Sequence, residues 1–510
     1  MEWPPKRTRA EEQVAGKLRK ASAFYRFLWD VRDELFDREF QTELRRSYQP
    51  RGQEPCPPAL LAMAMLLQRY AGLSDADAVD AAENDRRWKL VLGTLDDETS
   101  PFGQGSLVRF RMRAIANDLD RKLVDRTVEL AKKTGKFGWK QLRVALDSSP
   151  LHGAGRVEDT WNLIGRAMTK VVHSIALALD LEEDAVIKSA GLSVLSADSI
   201  KAALDVDWTD DDAEDVALQT LLKQVDALES WVAKRATKAA EVPPLKDSLD
   251  LLRKLMAQDI EPDPSGDGRR IRQEVTKERI ISVSDQEMRH GRKSKTKLFN
   301  GYKRHIAIVD NLILATAVEP ANVREHEPAP RLLDAVAKHG DIAILDIDRG
   351  YLPSPRIAEL FRDGTIINSR PWVPTNKGLF TKDDFRINLR RREVTCPNGK
   401  TATAVDSGKA SFSVDDCRRC KLKSKCTNAA SRSLSLHPAE DMLIPLRTKR
   451  ATKSGRAELR KRVAVEHKLA RIGAIQGDTA RYRGARKNEL DLNRSAAIAN
   501  LYEVARRRVA

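Results

Sequence analysis

The sequence predicts a mixed α/β protein behind a helical N-terminal region, and three observations carry that expectation. Helical patterning over the first 135 residues gives way at Gln141 to a β-type run, LRVALDSSP. From there the order is strand, helical insertion, hairpin, helix, strand, helix, strand, helix, which packs as a mixed sheet with helices. No Gly-rich phosphate loop accompanies these strands, which argues against nucleotide hydrolysis.

In the N-terminal region, Pro57 and Pro58 open ALLAMAMLLQRYAGL, apolar on nearly every side and so expected to be a buried helix stopped by Gly72. Ser74 is an N-cap candidate for a helix reaching about Leu92. Ser106 is expected to cap LVRFRMRAIANDLDRKLVDRTVELAKKTG, ending at Gly135. Short helices ending in an Arg-rich one suggest a DNA reader of the helix-turn-helix type; a plain helical bundle with a solvated Arg face is the alternative.

Beyond Gln141, helical patterning runs from about Trp161 to Leu181. Leu218, Leu221, Leu222, Val225, Leu228, Trp231 and Val232 then keep helical spacing. YKRHIAIVDN and LILATAVEP flank a polar Asp310–Asn311 turn, the pattern of a β-hairpin. A helix over residues 327–339, a strand IAILDIDRGY, a helix from about Ser354 to Asp363 and a fifth strand GTIINSR follow.

The 510 residues suggest two to four domains. We divide the chain into an N-terminal helical domain (1–135), a core (140–370) holding a helical acidic insertion (about 195–265), a cysteine module (371–440), and a last helix with a basic tail (441–510). The formal net charge is +16, which favours a polyanionic partner. The charge is uneven. Residues 195–265 carry 8 Lys/Arg against 16 Asp/Glu, residues 441–510 carry 18 against 7, and Arg289 to Arg304 holds seven bases and no acid. Phosphate-tracking surfaces need such basic tracts. No apolar run has a membrane-spanning length, and the charged start MEWPPKRTRAEEQ lacks a secretory h-region. A soluble cytoplasmic protein acting on nucleic acid is expected.

Two carboxylates stand out by context. Asp147 follows the apolar VAL, and Asp348 follows IAILDI. Each sits where a buried strand emerges, the usual place for functional side chains in α/β sheets. Glu466 lies on an expected helix, 455–473. There it shares an arc with Leu459, Val463 and Ala470, so it should point toward the protein body. Its alternatives are catalysis or an ion pair with Arg462. Converging carboxylates would make an all-oxygen site suited to Mg²⁺ or Mn²⁺.

Four of the five cysteines cluster as Cys396-x₂₀-Cys417-x₂-Cys420-x₅-Cys426, a pattern suited to structural tetrahedral Zn²⁺ in a small ribbon-like module. Cys56 reads as a half-buried thiol. Among the basic residues, Lys303 and His305 should share one strand face and Arg304 the other. His305 is either a site contact or a satisfied sheet residue. RYRGARKN interleaves Tyr482 with Arg481 and Arg483, which suits backbone tracking or simple solvation.

LDSSP, GYKRHIAIVDNLILATAVEPANVREHE, DRGY and RKRVAVEHKLARIG resemble bacterial insertion-sequence DDE transposases, most closely the insertion-sequence four and five group. The N-terminal ALLAMAMLLQRYAGLSDADAVDAAENDRRWKLVLG and SLVRFRMR resemble the helical domain preceding the catalytic domain in many of them. The resemblance implies a ribonuclease-H-like core with a mixed five-stranded sheet and the triad Asp147, Asp348 and Glu466, with Asp346 the runner-up for the second acid. It also implies Mg²⁺ or Mn²⁺, double-stranded DNA as partner, and a homodimer or larger oligomer on DNA. Around Glu466, Arg462 fits a Tyr-x₂-Arg-x₃-Glu-x₆-Lys signature, whereas Leu459 and Gly473 depart from it. Asn322 and His326 match a polar turn of the family. We expect DNA contacts from Lys303, Arg304, Arg462, Arg481 and Arg483. The rival readings are an inactive or domesticated DNA-binding regulator, or a nuclease with the same metal site.

Overall fold

A computed structural model describes the chain except residues 1–2, 49–54, 135–136, 138–139, 198, 265, 267, 275, 295, 460–462 and 510. The central sheet contains β1 (Leu142–His152), β2 (Arg289–Arg292), β3 (Leu298–Val309), β4 (Leu312–Pro320), β5 (Ile342–Ile347) and β6 (Ile366–Asn368). The order is β2-β3-β1-β5-β6, with β4 and β2 following one another along the outer edge of β3. β1 is antiparallel to β3 and parallel to β5, which is parallel to β6. The expected five strands are therefore present, and short β2 makes the sheet six-stranded.

The hairpin forms as read. Asp310 and Asn311 have φ of 47° and 68°, the doubly positive pair that a two-residue turn matching strand twist requires. β1 is longer than expected: it continues through Asp147 because β3 pairs with it as far as His152. Gly301 is needed where these strands converge, since a Cβ there would lie 2.3 Å from the Gly153 nitrogen.

As a central strand, β1 buries both faces. Leu142, Val144 and Leu146 join a core shared with the N-terminal helices, whereas Ala145 and Leu151 join a second core. The helix Val463–Gln476 lays Val465, Leu469 and Ile472 on that second face.

The N-terminal and C-terminal segments are not separate bodies. The last helix, Ala485–Val509, is buried almost all round from Asn488 to Leu501, so the expected basic tail is a central structural element. Its Asn500 bonds Thr127 and both backbone groups of Ile313, and Asn493 bonds Asp120 and Thr316. Asp491 and Arg494 form a fully buried pair that also engages Arg69, Gln68 and Tyr482. Leu119–Lys133, β4 and Pro58–Ala71 all meet on this one helix.

Several helix boundaries differ from expectation. Pro58 opens its helix, Gly72 ends it in the left-handed conformation, and Ser74 caps the next with a reciprocal Asp77 bond. That helix stops at Asn84, where Asp85 caps a second one, Arg86–Leu92. The Arg-rich stretch is two helices, Gln104–Ala116 and Leu119–Lys133, broken where Asp118 takes φ 51°. Gly103, not Ser106, is its N-cap; Gly135 lies outside the described residues.

The helical insertion is wider than its acidic stretch. Thr160–Leu179, Asp211–Arg235 and Leu245–Asp259 share one core reaching from Trp161 to Val283. Composition marked only the charged part, because the helix Thr160–Leu179 is itself apolar. No helix among the described residues is long and apolar enough to cross a membrane.

Candidate active site

The parallel pairing of β1 with β5 ends at Leu146 and Ile347. The next residue after each end of that pairing is an acid, so Asp147 and Asp348 follow directly on neighbouring paired positions. Alternation along β1 puts Asp147 on the face of Ala145 and Leu151, the face covered by Val463–Gln476. Each carboxylate is oriented locally. The Ser148 N–H donates to Asp147 Oδ1 at 2.8 Å, and the Arg349 N–H donates to Asp348 Oδ1 at 2.8 Å. Both side chains are half-buried.

Asp346 is placed differently. It is 3% exposed and held by the Arg143 guanidinium at 2.7 and 3.0 Å and by Asn368 Nδ2 at 3.0 Å. Arg143 also reaches Glu458. Such a buried carboxylate is committed to its partners, whereas Asp348 lies at the open end of the strand.

Glu466 does not project from an apolar face. The buried stripe of its helix is Val465, Lys468, Leu469, Ile472 and Gln476, and Glu466 is exposed along its border. The expected arc ran one helix from residue 455 to 473. Residues 460–462 lie outside the described ones, so that stretch is described only as Lys453–Leu459 and Val463–Gln476. Its helix does cover the face that carries Asp147. Among the described residues, no three His, Cys, Asp or Glu side chains are grouped closely enough to hold one ion. The structure thus juxtaposes the two aspartates without closing the third acid onto them.

On the opposite face of the same strand ends lies a polar cluster that sequence reasoning met only in part. His305 pairs in register with Ser148, is fully buried, and has its Nδ1 2.7 Å from the Tyr351 hydroxyl. Burial pushes the imidazole down to about 3, so it is neutral at physiological pH, while its buried Nε2 has no hydrogen-bond partner among the described residues. Burial raises the Tyr351 phenol well above its usual range, reinforced by Glu325, Asp147 and Asp348. Ser148 Oγ donates to Glu325 Oε1 at 3.0 Å. Glu325 was missed because its loop carries four acids and bases in a row, and only contact with Ser148 and Gly350 singles it out.

The expected DNA contacts divide. Arg304 is 3% exposed and ties β3 to the end of Val463–Gln476 through Ser149, Gln476, Gly477 and Asp478. It is an internal strut, not a surface cation. Lys303 is half-buried and donates to the Val323 carbonyl at 2.8 Å; burial lowers its ammonium, opposed by Glu325 and Glu327. Arg481 is exposed and reaches the Leu73 carbonyl, and Arg483 is exposed. Tyr482 accepts from Arg494, so its ring is part of the buried network. Arg462 lies outside the described residues. Asn322 bonds Lys277 and Glu278.

The four clustered cysteines come together. Cys396, Cys417, Cys420 and Cys426 line one cavity of about 30 Å³, the scale of a single water. The Leu422 N–H donates to Cys420 Sγ at 3.4 Å. Burial raises the Cys426 thiol, with the Arg432 guanidinium opposing. Short strands surround them with a core of their own, built from Phe385, Val394, Ala402, Ala410, Phe412 and Leu434.

A mixed sheet with paired strand-end aspartates and a covering helix is the arrangement of a DDE-type core. Residues 267–501 match the family model described as Transposase DDE domain, and residues 17–113 match Transposase domain (DUF772). The first match includes Asp348 and Glu466 and begins after Asp147, which the helical insertion separates from it. No curated protein and no solved structure matches the chain. With both domains in this order, the chain belongs to the insertion-sequence DDE transposases.

Proposed function

We propose that this transposase binds the terminal inverted repeats of its own element, hydrolyses the phosphodiester there, and directs the freed 3′-hydroxyl at target DNA. The observation that carries the reading is the side-by-side placement of Asp147 and Asp348 where their parallel strands part. Asp147, Asp348 and Glu466 are the residues that would hold Mg²⁺ or Mn²⁺. The donor set fits, because carboxylate oxygens suit hard cations. When bound, such ions supply charge stabilisation to the attacking and leaving oxygens. The chain's own part is to keep two aspartates in register on a sheet and to bring Glu466 on a helix over the same face.

Asp348 is the second acid in this reading, because Asp346 is consumed by Arg143 and Asn368. Exposed Arg481 and Arg483 contact the DNA backbone, with Arg462 and Lys303 as further candidates. In this reading the core is ribonuclease-H-like and the chain belongs to the insertion-sequence four and five group that its motifs resemble, and the enzyme acts in the cytoplasm as a dimer or larger oligomer, since two element ends must be held together. The four cysteines line one cavity but are not grouped closely enough to hold an ion as they stand; in this reading one structural Zn²⁺ would draw the four thiolates together.

The test is to incubate purified protein with duplexes bearing the element's ends, with Mg²⁺, Mn²⁺ or EDTA. Metal-dependent nicking followed by joining to a target supports the proposal. Binding without nicking would make the protein a regulator, and nicking without joining a nuclease.

A further inference from the structure

Ladder bonding between β1 and β5 stops one residue before the acids. Something other than the parallel pairing must therefore hold Asp147 and Asp348 together. The side of the sheet behind them supplies it. Glu325, in the loop after β4, accepts the Ser148 hydroxyl at 3.0 Å, and Ser148 is the residue after Asp147. The same carboxylate packs against Gly350, two residues after Asp348. A Cβ built on Gly350 would fall 1.7 Å from Glu325 Oε2, so this carboxylate lies directly against the glycine. One side chain thus touches both acid-bearing segments from behind.

The loop that carries Glu325 is itself fixed. Lys303 Nζ donates to Val323 O at 2.8 Å and stands near both Glu325 and Glu327. Tyr351, next to Gly350, is fully buried and hydrogen-bonded to His305 on β3. The Lys303 ammonium and the Tyr351 hydroxyl thus each have a partner beside the brace. Ser148 and His305 are paired neighbours on the face opposite Asp147, which places Glu325 behind the site and not among residues presented to a substrate.

We propose that Glu325 is a positioning residue of the active site, clamping the Ser148 and Gly350 segments so that Asp147 and Asp348 keep the spacing a divalent cation needs. This rests on the reading of Asp147 and Asp348 as the catalytic pair. The clamp works through a hydrogen-bond acceptor and a close fit, not through charge. Residues that orient metal ligands from behind typically change metal affinity by about 10- to 100-fold when removed.

The experiment compares Glu325→Ala, Glu325→Gln and Ser148→Ala with the wild-type full-length chain. It reads Mn²⁺ binding by electron paramagnetic resonance, thermal melting, and cleavage of an end duplex as a function of Mn²⁺. The expected result is an about tenfold or greater weakening of Mn²⁺ binding in Glu325→Ala, a smaller one in Ser148→Ala, and rescue in Glu325→Gln, whose amide oxygen still accepts from Ser148. Raised Mn²⁺ should restore cleavage in Glu325→Ala. Equal loss in Glu325→Gln and Glu325→Ala would make the charge essential and overturn the clamp. Wild-type Mn²⁺ affinity in a well-folded Glu325→Ala would overturn it as well. Should Asp147→Asn bind Mn²⁺ as tightly as the wild type, the catalytic reading itself fails, an outcome separate from any result at Glu325.

Discussion

Asp491→Asn should separate the two halves of this protein energetically. Asp491 is fully buried and faces two guanidinium groups, Arg494 at 2.6 Å and Arg69 at 3.2 Å. Arg494 is itself fully buried and Arg69 nearly so. The amide keeps the shape and removes the negative charge that sits between them. Leaving buried charge uncompensated in this way costs about 3–5 kcal/mol. Removing both members of the innermost pair, as in Asp491→Leu with Arg494→Met, leaves only Arg69, which keeps the Ile475 carbonyl and a little solvent. The double variant should therefore recover to within about 2 kcal/mol of wild type, a coupling well outside additivity. Urea unfolding followed by circular dichroism and tryptophan fluorescence measures it. Limited proteolysis should show the N-terminal helices released first in Asp491→Asn. A loss below about 1 kcal/mol, or additive effects in the double variant, would refute the claim that this network welds Pro58–Ala71 to the last helix.

Other outcomes follow from the same geometry. His305 has a folded value of about 3 against 6.5 when unfolded, so the unfolded chain binds the extra proton between those values and stability falls as pH drops through that window. Relative to His305→Gln, the wild type should lose about 2 kcal/mol between pH 6.5 and 5, seen in urea midpoints; parallel pH curves would contradict it. Metal analysis should find one zinc per chain, lost in Cys417→Ser with Cys420→Ser, while Cys56→Ser keeps it; absence of zinc from protein purified without chelators would leave the cavity a thiol cluster. Arg483→Ala should weaken end-DNA binding and lower the salt slope by about one ion, whereas Arg304→Met should instead destabilise the fold; the reverse pattern would return Arg304 to the DNA surface.

Elements with strong local signals were legible in the sequence. The Asp310–Asn311 hairpin, the Pro58 to Gly72 helix and the Ser74 cap each depend on a few adjacent residues, and all appear where read. The four cysteines do line one cavity, but no three of them are grouped closely enough to hold an ion, so the zinc site read from their spacing is not formed. What escaped depends on tertiary partners. Arg304 lies in a basic run that reads as DNA-facing, yet three hydrogen-bond acceptors around Gly477, distant in sequence, bury it. The Ala485–Val509 helix carries so many charges that it reads as a tail; Asp491, Asn493, Arg494 and Asn500 are buried because each finds a partner outside the helix. Glu325 lies in the polar turn already marked by Asn322 and His326, but nothing local set it apart from its charged neighbours. Asp147 and Asp348 were each marked by a strand end, but their adjacency came only from the parallel register.

The most direct test of the central claim is Mg²⁺-dependent cleavage of an end duplex by Asp147→Asn, Asp348→Asn, Glu466→Gln and Asp346→Asn, each first shown to be folded and to bind DNA. The account predicts that the first three fall to the background seen with EDTA, and that Asp346→Asn keeps cleavage with reduced stability. Full cleavage by any of the first three would remove that residue from the site. Loss in Asp346→Asn with full activity in Asp348→Asn would move the second acid back along β5.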